Sequence, residues 1–328
     1  MKYDVYGIGN PIIDLTIKVT DSDIESLGLD KGTMHLIDEN RRSEILNFLK
    51  DKEVQSFPAG SCPNTIMGLS SLGSNSIING RIGNGNLSKQ YINEIEGINV
   101  ISRLKSSEGV TGTSIILITP DSQRTMNTFL GNCRKFSKED IDIEAIKESK
   151  FLYFTGYMWD TDSQKEACNY AMKIAKENGV KFVFNLADPN LVLRNKDELF
   201  NFILDKVDFL ISNEEEIIAL MGEDYESAIK DLENKITGIV VTMGENGSKI
   251  KHKGSTHLVD SFKVSAVDST GAGDMYTSGF LYGMSLGIPV ENAAKIGSYF
   301  ASKIVSQLGT KINDETINDV KEFIEKLK

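Results

Sequence analysis

The sequence is short of several residue types, and each shortage argues against a class of protein. Its three cysteines, Cys62, Cys133 and Cys168, form neither an even set nor a C-x-x-C pair, so a disulfide framework is not expected. The three histidines lack metal-ligand spacing, and no G-x-x-x-x-G-K-[ST] segment is present. Zinc hydrolase chemistry and P-loop chemistry are therefore unsupported.

Long apolar runs and an excess of positive charge are also missing. No stretch of about 18 apolar residues occurs and the N-terminal segment has no signal-peptide h-region, so we expect a cytoplasmic protein without a membrane partner. With 36 Lys and Arg against 47 Asp and Glu, the net charge is −11, and no nucleic-acid partner is expected. A bound anion such as a nucleotide must then be attracted locally, by backbone N–H groups or a helix N-terminus.

What the sequence does contain is an alternation of short Val-, Ile- and Phe-rich runs with longer segments of helical periodicity. This pattern predicts parallel strands joined by crossover helices, and so an α/β fold with three layers, α/β/α, around a mainly parallel sheet. The predicted strands are residues 3–8, 76–80, 151–155, 181–186, 209–212, 238–242 and 262–267. The predicted helices are residues 64–72, 162–178, 196–205, 225–235 and 275–286.

Two stretches, residues 12–38 and 112–129, alternate apolar and polar residues instead. Period-two alternation predicts strands with one wet face, and we expect both stretches to form one small β-sheet lid. Residues 1–11, 39–111 and 130–328 then make up the large domain. The active site is expected in the cleft between lid and sheet, since the carboxyl edge of an open α/β sheet is where ligands bind.

The most informative segment is Asp268-Ser-Thr-Gly-Ala-Gly-Asp274. The N–H groups of Gly271, Ala272 and Gly273 lie at a predicted helix N-terminus, where they can bind an anion. A carboxylate beside an anion suggests a separate task for Asp274, such as accepting a proton from a substrate hydroxyl during phosphoryl transfer. The alternative is a tight turn followed by an acid that the helix dipole favours.

This heptapeptide closely resembles the D-T-x-G-A-G-D signature of the ribokinase family, the PfkB carbohydrate kinases, with Ser269 in place of the threonine. Four more segments agree with the family in the same order. G-I-G-N-P-I-I-D at 7–14 and F-N-L-A-D-P at 184–189 resemble its adenosine kinase branch. A-G-S-C-P-N at 59–64 is similar to the family's G-G-x-x-x-N segment, with Ala59 in place of the first Gly, and R-T-M-N-T-F-L-G at 124–131 resembles bacterial nucleoside-kinase-like members. The resemblance extends from Tyr3 to about Gly309. It implies a ribokinase-like fold and a kinase that uses ATP and Mg²⁺.

The resemblance also implies roles for individual residues. Asp274 is the expected catalytic base, with residues 271–273 as the anion hole. The expected substrate-binding residues, which hold the sugar or approach the phosphates and close the lid, are Asp14, Gly60, Asn64 and Arg124. Each residue also has a structural alternative: Asp14 as a solvated acid at a strand end, Asn64 as a helix N-cap and Arg124 as a surface cation.

The predicted residues for binding ATP and Mg²⁺ come from two further segments that match the family. Asn213-Glu-Glu-Glu216 resembles the N-x-x-E motif, in which Glu216 is associated with Mg²⁺ through ordered water. The alternative is an acidic first helical turn with Asn213 as its cap. A T-x-G-x-x-G turn expected along ATP comprises Thr242, Gly244 and Gly247. Candidate ligands for a monovalent cation such as K⁺, as in some family members, are Asp268 and Thr270.

Taken with the resemblance, these residues predict ATP-dependent phosphorylation of the 5′-hydroxyl of a purine nucleoside, adenosine or a close relative. A sugar kinase for ribose, fructose or a similar sugar is the alternative, although Gly83-Asn-Gly-Asn86 lacks the Asp of the G-x-D segment common in sugar kinases. A non-catalytic nucleoside sensor is a third hypothesis. A dinucleotide site at Gly7-x-Gly9 is disfavoured because the third Gly is missing and Pro11 stands where the helix would begin. We expect a monomer or a loose homodimer.

Overall fold

The computed structural model describes residues 1–307 and 309–327, which contain fourteen strands, thirteen α-helices and four short 3₁₀ helices. The strands are β1 (Tyr3–Ile8), β2 (Ile12–Lys18), β3 (Met34–Leu36), β4 (Val54–Ala59), β5 (Ser76–Ile82), β6 (Ile101–Ser106), β7 (Gly112–Ile118), β8 (Arg124–Phe129), β9 (Ser149–Thr155), β10 (Lys181–Asn185), β11 (Phe209–Asn213), β12 (Gly238–Thr242), β13 (Ser248–His252) and β14 (Ser255–Val259).

The α-helices are α1 (Asp21–Ser26), α2 (Glu39–Phe48), α3 (Ser61–Ser71), α4 (Asn86–Gly97), α5 (Ile143–Lys147), α6 (Asp162–Glu177), α7 (Pro189–Arg194), α8 (Lys196–Lys206), α9 (Glu214–Met221), α10 (Tyr225–Leu232), α11 (Ala272–Ser285), α12 (Val290–Val305) and α13 (Asp314–Leu327). The 3₁₀ helices are Gly131–Lys135, Lys138–Asp140, Gly156–Trp159 and Gly244–Asn246.

A nine-stranded sheet forms the centre of the large domain, in the order β14-β13-β12-β11-β10-β9-β1-β5-β6. Seven of its strands are parallel, and the antiparallel β13 and β14 extend one edge. Successive side chains of β9 enter opposite cores: Tyr153 packs with α3, α11 and α12, whereas Phe154 packs with α6 and α8. Helices thus cover both faces of the sheet, which confirms the predicted three-layer arrangement. The continuous apolar runs in the sequence are typical of strands that are buried on both faces.

The second sheet has five strands, in the order β3-β8-β7-β2-β4. The two stretches with alternating residues therefore share one small sheet, as predicted. A third segment, β4, joins it by pairing with β2, and this strand lies outside both predicted lid segments. Residues 21–26 are a helix rather than strand, because Thr20 and Asp23 form a capping box that begins α1.

The two faces of the small sheet have different neighbours. Ile13, Leu15 and Ile17 of β2 are buried in one core together with residues of α1 and α2. Asp14, between them, faces the cleft towards the large domain. The period-two alternation thus reflects one face covered by the chain's own helices and one face left for ligands.

Residues 262–267 were predicted as a strand, and this prediction is wrong. The ring of Phe262 packs against Tyr299 of α12 and Phe323 of α13, with ring centroids 5.0 and 5.3 Å away. The N–H group of Val267 donates to the carbonyl oxygen of Val305, at the end of α12, rather than to a neighbouring strand. Phe262 therefore packs on helices instead of within a sheet, while Val264 and Val267 are 44% and 59% exposed.

Among the described residues, none of the helices is long and apolar enough to cross a membrane.

Candidate active site

Two cavities meet at the first turn of α11, beneath the small sheet. The larger one, about 560 Å³, lies between the cleft face of the small sheet and α7, and the smaller one, about 280 Å³, lies over the carboxyl ends of β10, β11 and β12. Ser61, Gly271 and Asp274 line both. Asp274 is therefore placed to act between two ligands, one in each cavity.

The carboxylate of Asp274 is held by the first turn of α3. Ser61 Oγ donates a hydrogen bond to Oδ1 at 2.6 Å, and Asn64 Nδ2 donates to Oδ2 at 2.9 Å. Burial raises the pKa of Asp274 to about 7, while these two hydrogen bonds oppose the rise. A carboxyl with a pKa near 7 suits a general base, because it combines an unprotonated fraction with proton affinity.

A glycine with positive φ stands directly before each of the two helices, α3 and α11. Gly60 precedes α3 with φ +115°, and a Cβ there would lie 2.2 Å from the carbonyl oxygen of Asn10. Gly271 precedes α11 with φ +77°, and a Cβ there would lie 2.6 Å from Thr310 Cγ2. Both positions need a residue without a side chain, which is the physical reason for glycine in each segment.

The predicted anion hole is only partly free to bind. The N–H group of Ala272 donates to the carbonyl oxygen of Ser269 at 3.1 Å, which closes the turn before α11. Gly271 and Gly273 line the smaller cavity, whereas Ala272 does not. Their N–H groups, with the positive end of the α11 dipole, are the donors that this turn offers to an anion.

On the small-sheet side, Asp14 and Arg124 lie close enough to influence each other. Burial raises the pKa of Asp14 to about 7; the Arg124 charge opposes this rise and the Asp274 charge adds to it. The Arg124 guanidinium forms an ion pair with Asp268 of the loop before α11. Arg124 thus links β8 of the small sheet to the loop that carries Gly271.

Asp268 is already well supplied with partners. Besides Arg124, it accepts hydrogen bonds from the N–H groups of Thr270 and Gly309, both at 2.9 Å. Burial acts to raise the pKa of Asp268, but its hydrogen bonds with Thr270 and Gly309 and the Arg124 charge lower it below its usual value. The carboxylate that was a candidate ligand for a monovalent cation therefore has an arginine as its cation in this arrangement.

The Asn213–Glu216 motif forms the helix cap that was its structural alternative, and it also lines the smaller cavity. Asn213 donates to both Glu216 oxygens, from its backbone N–H at 3.0 Å and from Nδ2 at 2.9 Å. Glu216 is 6% exposed, and burial raises its pKa to about 7 although hydrogen bonds from Asn213 oppose the rise.

Because both Glu216 oxygens already accept N–H groups, contact with Mg²⁺ through water fits this carboxylate better than direct ligation. In the described part of the chain, no three His, Cys, Asp or Glu side chains are grouped to hold a metal ion directly.

Thr242 ends β12 and lines the smaller cavity, and its Oγ1 donates to the carbonyl oxygen of Ser212 at 3.3 Å. Gly244 and Gly247, predicted to lie along the same nucleotide, form the turn into β13 and do not line that cavity. Both have positive φ, +56° and +85°, as expected for a glycine turn.

Ser61 is a site residue to which the sequence analysis gave no role, although the quoted segment A-G-S-C-P-N contains it. A signal was present, because residues 61 and 64 stand three apart in a first helical turn and so share a face. What they face, Asp274, is 213 residues away in the sequence.

The chain is similar to known proteins in sequence and in fold. The model of the pfkB family carbohydrate kinases matches residues 23–317. A 5-dehydro-2-deoxygluconokinase of Clostridium perfringens is 29% identical over 304 residues, 87% of each chain. The structure of adenosine kinase from Sinorhizobium meliloti superposes with a TM-score of 0.89 at 31% identity, covering 98% of this chain and 99% of that one. A probable sugar kinase from Rhizobium etli superposes with the same TM-score at 29% identity, covering 98% of both chains.

Proposed function

The chain belongs to the pfkB family of carbohydrate kinases and is a phosphotransferase with an alcohol group as acceptor; we propose that its acceptor is the 5′-hydroxyl of a purine nucleoside, adenosine or a close relative. The observation that carries this proposal is that the larger cavity is lined both by polar side chains around Asp274 and by a group of apolar side chains from the small sheet and α7. A nucleoside likewise has two parts, a sugar with hydroxyls and a flat base.

Asp14, Gly60 and Asn64 line the larger cavity together with Asp274. Asn64 is 7% exposed and uses its amide nitrogen on Asp274, while its Oδ1 has no partner in the described structure. A buried amide oxygen without a partner is costly unless a ligand donates to it, and a ribose hydroxyl supplies such a donor.

Apolar side chains of the small sheet and of α7 line the same cavity. They include Met34 and Leu36 of β3, Ile116 of β7, Met126 of β8 and Leu191 of α7. Met34 and Leu36 are 43% and 56% exposed, so a bound base would cover apolar surface that the chain leaves open. A free sugar has no apolar group to place there.

In the proposed reaction, the acceptor oxygen bonds to the γ-phosphorus of ATP as the bond to the bridging oxygen of ADP breaks, and the hydroxyl proton passes to Asp274. The N–H groups of Gly271 and Gly273 stabilise the charge on the transferring group. Mg²⁺, when bound with ATP, neutralises phosphate charge, and Glu216 would hold it through water. Arg124 helps to close the small sheet over the cleft through Asp268.

A second candidate, a sugar kinase, is favoured by the relatives themselves. Several similar proteins are 5-dehydro-2-deoxygluconokinases, two of them 29% and 26% identical to this chain. An uncharacterised sugar kinase is 24% identical. Against an acidic sugar stands the charge of the larger cavity, which is lined by four aspartates and one arginine.

We further propose that the protein is a monomer or at most a loose homodimer. The face of the small sheet opposite the cleft is already covered by α1 and α2 of the same chain. It therefore offers no bare sheet for a second subunit.

The function is tested by measuring ADP formation with adenosine, guanosine, inosine, ribose, fructose 6-phosphate and 5-dehydro-2-deoxygluconate as acceptors. We expect kcat/KM for at least one purine nucleoside to exceed that for each sugar by about tenfold or more. A preference for a sugar or sugar acid would overturn the nucleoside assignment. Tight nucleoside binding in calorimetry with no ADP from any acceptor would identify a sensor instead.

A further inference from the structure

Two polar side chains of α7 line the larger cavity together with the apolar side chains described above. Asn190 and Arg194 stand four residues apart on this helix and therefore share one face, and both line the cavity together with Leu191. Neither side chain has a hydrogen-bond or ion-pair partner within residues 1–307 and 309–327. Neither received a role in the sequence analysis or in the proposed function.

The charges around Arg194 make it distinctive. Of the described residues that line the cavity, it is the only cation, whereas Asp14, Asp160, Asp188 and Asp274 are acids. Two of these acids are engaged elsewhere: Asp160 pairs with Arg134 at 2.8 Å, and Asp188 caps α7 by accepting from the N–H of Leu191 at 2.6 Å. Arg194 is thus a donor group that lines the larger cavity without an acceptor among the described residues.

Resting on the proposed nucleoside kinase function, we propose that Asn190 and Arg194 contact the polar edge of the base and that Arg194 makes the enzyme prefer 6-oxopurine nucleosides, inosine and guanosine, over adenosine. A guanidinium carries only donors. Position 6 of hypoxanthine or guanine is a carbonyl acceptor, whereas position 6 of adenine is an amino donor. Asn190 has both a donor and an acceptor and can serve either base, so the preference comes from Arg194.

A carboxylate is the other planar group with two acceptors that a guanidinium binds well, and a sugar acid would present one. We favour the base edge because Arg194 lies beside the apolar side chains of the cavity and because the aspartates around it disfavour an anionic substrate. Assaying a sugar acid beside the nucleosides distinguishes a carboxylate from a base edge as the group that Arg194 binds.

The experiment compares kcat/KM for inosine, guanosine, adenosine and 5-dehydro-2-deoxygluconate in the wild type, Arg194→Met and Lys196→Met. Arg194→Met keeps a long side chain and removes the donors, and Arg194 is exposed, so we expect the variant to fold, which a thermal melt checks. Lys196→Met removes a cation two residues further along, outside the cavity, and is the matched control.

We expect the wild type to prefer 6-oxopurines and Arg194→Met to lower the ratio of inosine to adenosine kcat/KM about tenfold, as the loss of a specific guanidinium–base contact implies. Lys196→Met should leave that ratio within about twofold of the wild type. Adding Asn190→Ala to Arg194→Met should lower kcat/KM for all three nucleosides.

Failure of the Arg194 proposal and failure of the nucleoside kinase proposal give different results in this experiment. An unchanged ratio in Arg194→Met, or a wild-type preference for adenosine, would overturn this inference while leaving a nucleoside kinase. A wild type that phosphorylates no nucleoside would overturn both proposals, and a sugar acid whose phosphorylation depends on Arg194 would assign the guanidinium to a carboxylate.

Discussion

Two carboxyl groups face the same cleft, Asp14 from strand β2 of the small sheet and Asp274 from the first turn of α11, and their surroundings differ. Asp274, on the large-domain side, has a hydrogen bond from a side chain of α3 on each carboxylate oxygen. Asp14, on the small-sheet side, has no hydrogen-bond partner for its carboxylate in the described structure, although Arg124 lies near enough to lower its pKa. Burial nevertheless raises the pKa of both to about 7.

The difference indicates separate tasks. A group whose orientation is fixed before the substrate arrives can take a proton without reorganisation, which is what a catalytic base needs. A group left without partners can accept hydrogen bonds from the substrate's hydroxyls, which is what a binding residue needs. Substitutions on the two sides should therefore affect different kinetic constants.

The largest effect is expected for Asp274→Asn. Removing the base should lower kcat by at least about 10², the lower end of a general-base contribution, while the dissociation constant of the nucleoside changes little. Steady-state kinetics and calorimetry measure the two quantities. Asp231→Asn, an exposed acid of α10, is the control and should retain full turnover. Near-wild-type turnover of Asp274→Asn would remove the base from the mechanism.

The opposite pattern is expected for Asp14→Ala. Losing charge-assisted hydrogen bonds to the sugar costs about 1.5–3 kcal/mol, so KM for the nucleoside should rise at least about tenfold with a smaller change in kcat. Thr16→Ala, two residues along β2 and outside the larger cavity, is the control. If Asp14→Ala instead lowered kcat as much as Asp274→Asn at unchanged KM, the two carboxyls would not have separate tasks.

A smaller effect, seen in the pH profile, is expected for Ser61→Ala. In the wild type, kcat/KM should fall as the pH is lowered through about 7, because protonated Asp274 cannot accept a proton. The Ser61 hydrogen bond stabilises the ionised carboxylate and lowers its pKa, so its removal should move this acid limb to higher pH. At pH 7 the variant should be a few-fold slower, and at high pH the difference should shrink.

Ser61→Thr keeps the hydroxyl and should restore the position of the acid limb. A loss of activity in Ser61→Ala that is equal at every pH would show that Ser61 only supports the local fold. In that case the fixed orientation of Asp274 would have to come from Asn64 alone among its two side-chain donors.

Much of the fold could be predicted because its signals are local. Strands β1 and β12 have the predicted bounds, and the other four predicted strands of the large sheet differ by one or two residues at an end, whereas β6, β13 and β14 were not predicted. The prediction of a strand at residues 262–267 was wrong because the ring of Phe262 packs on α12 and α13, and an apolar residue type does not reveal whether a sheet or helices will cover it. Strand β4 was missed because its assignment depends on a partner, β2, some forty residues earlier.

The sequence by itself determined which residues are candidates for the proposed chemistry: the turn at Gly271, the carboxylate of Asp274 and the polar segment at Gly60. These are consequences of backbone freedom and residue type, which a short segment contains in full. Only the tertiary structure decided how they are used, since Ser61 meets Asp274 across 213 residues and Arg124 meets Asp268 across 144. The same holds for Arg194, because whether an exposed arginine is a surface charge or part of a binding site depends on which elements fold beside it.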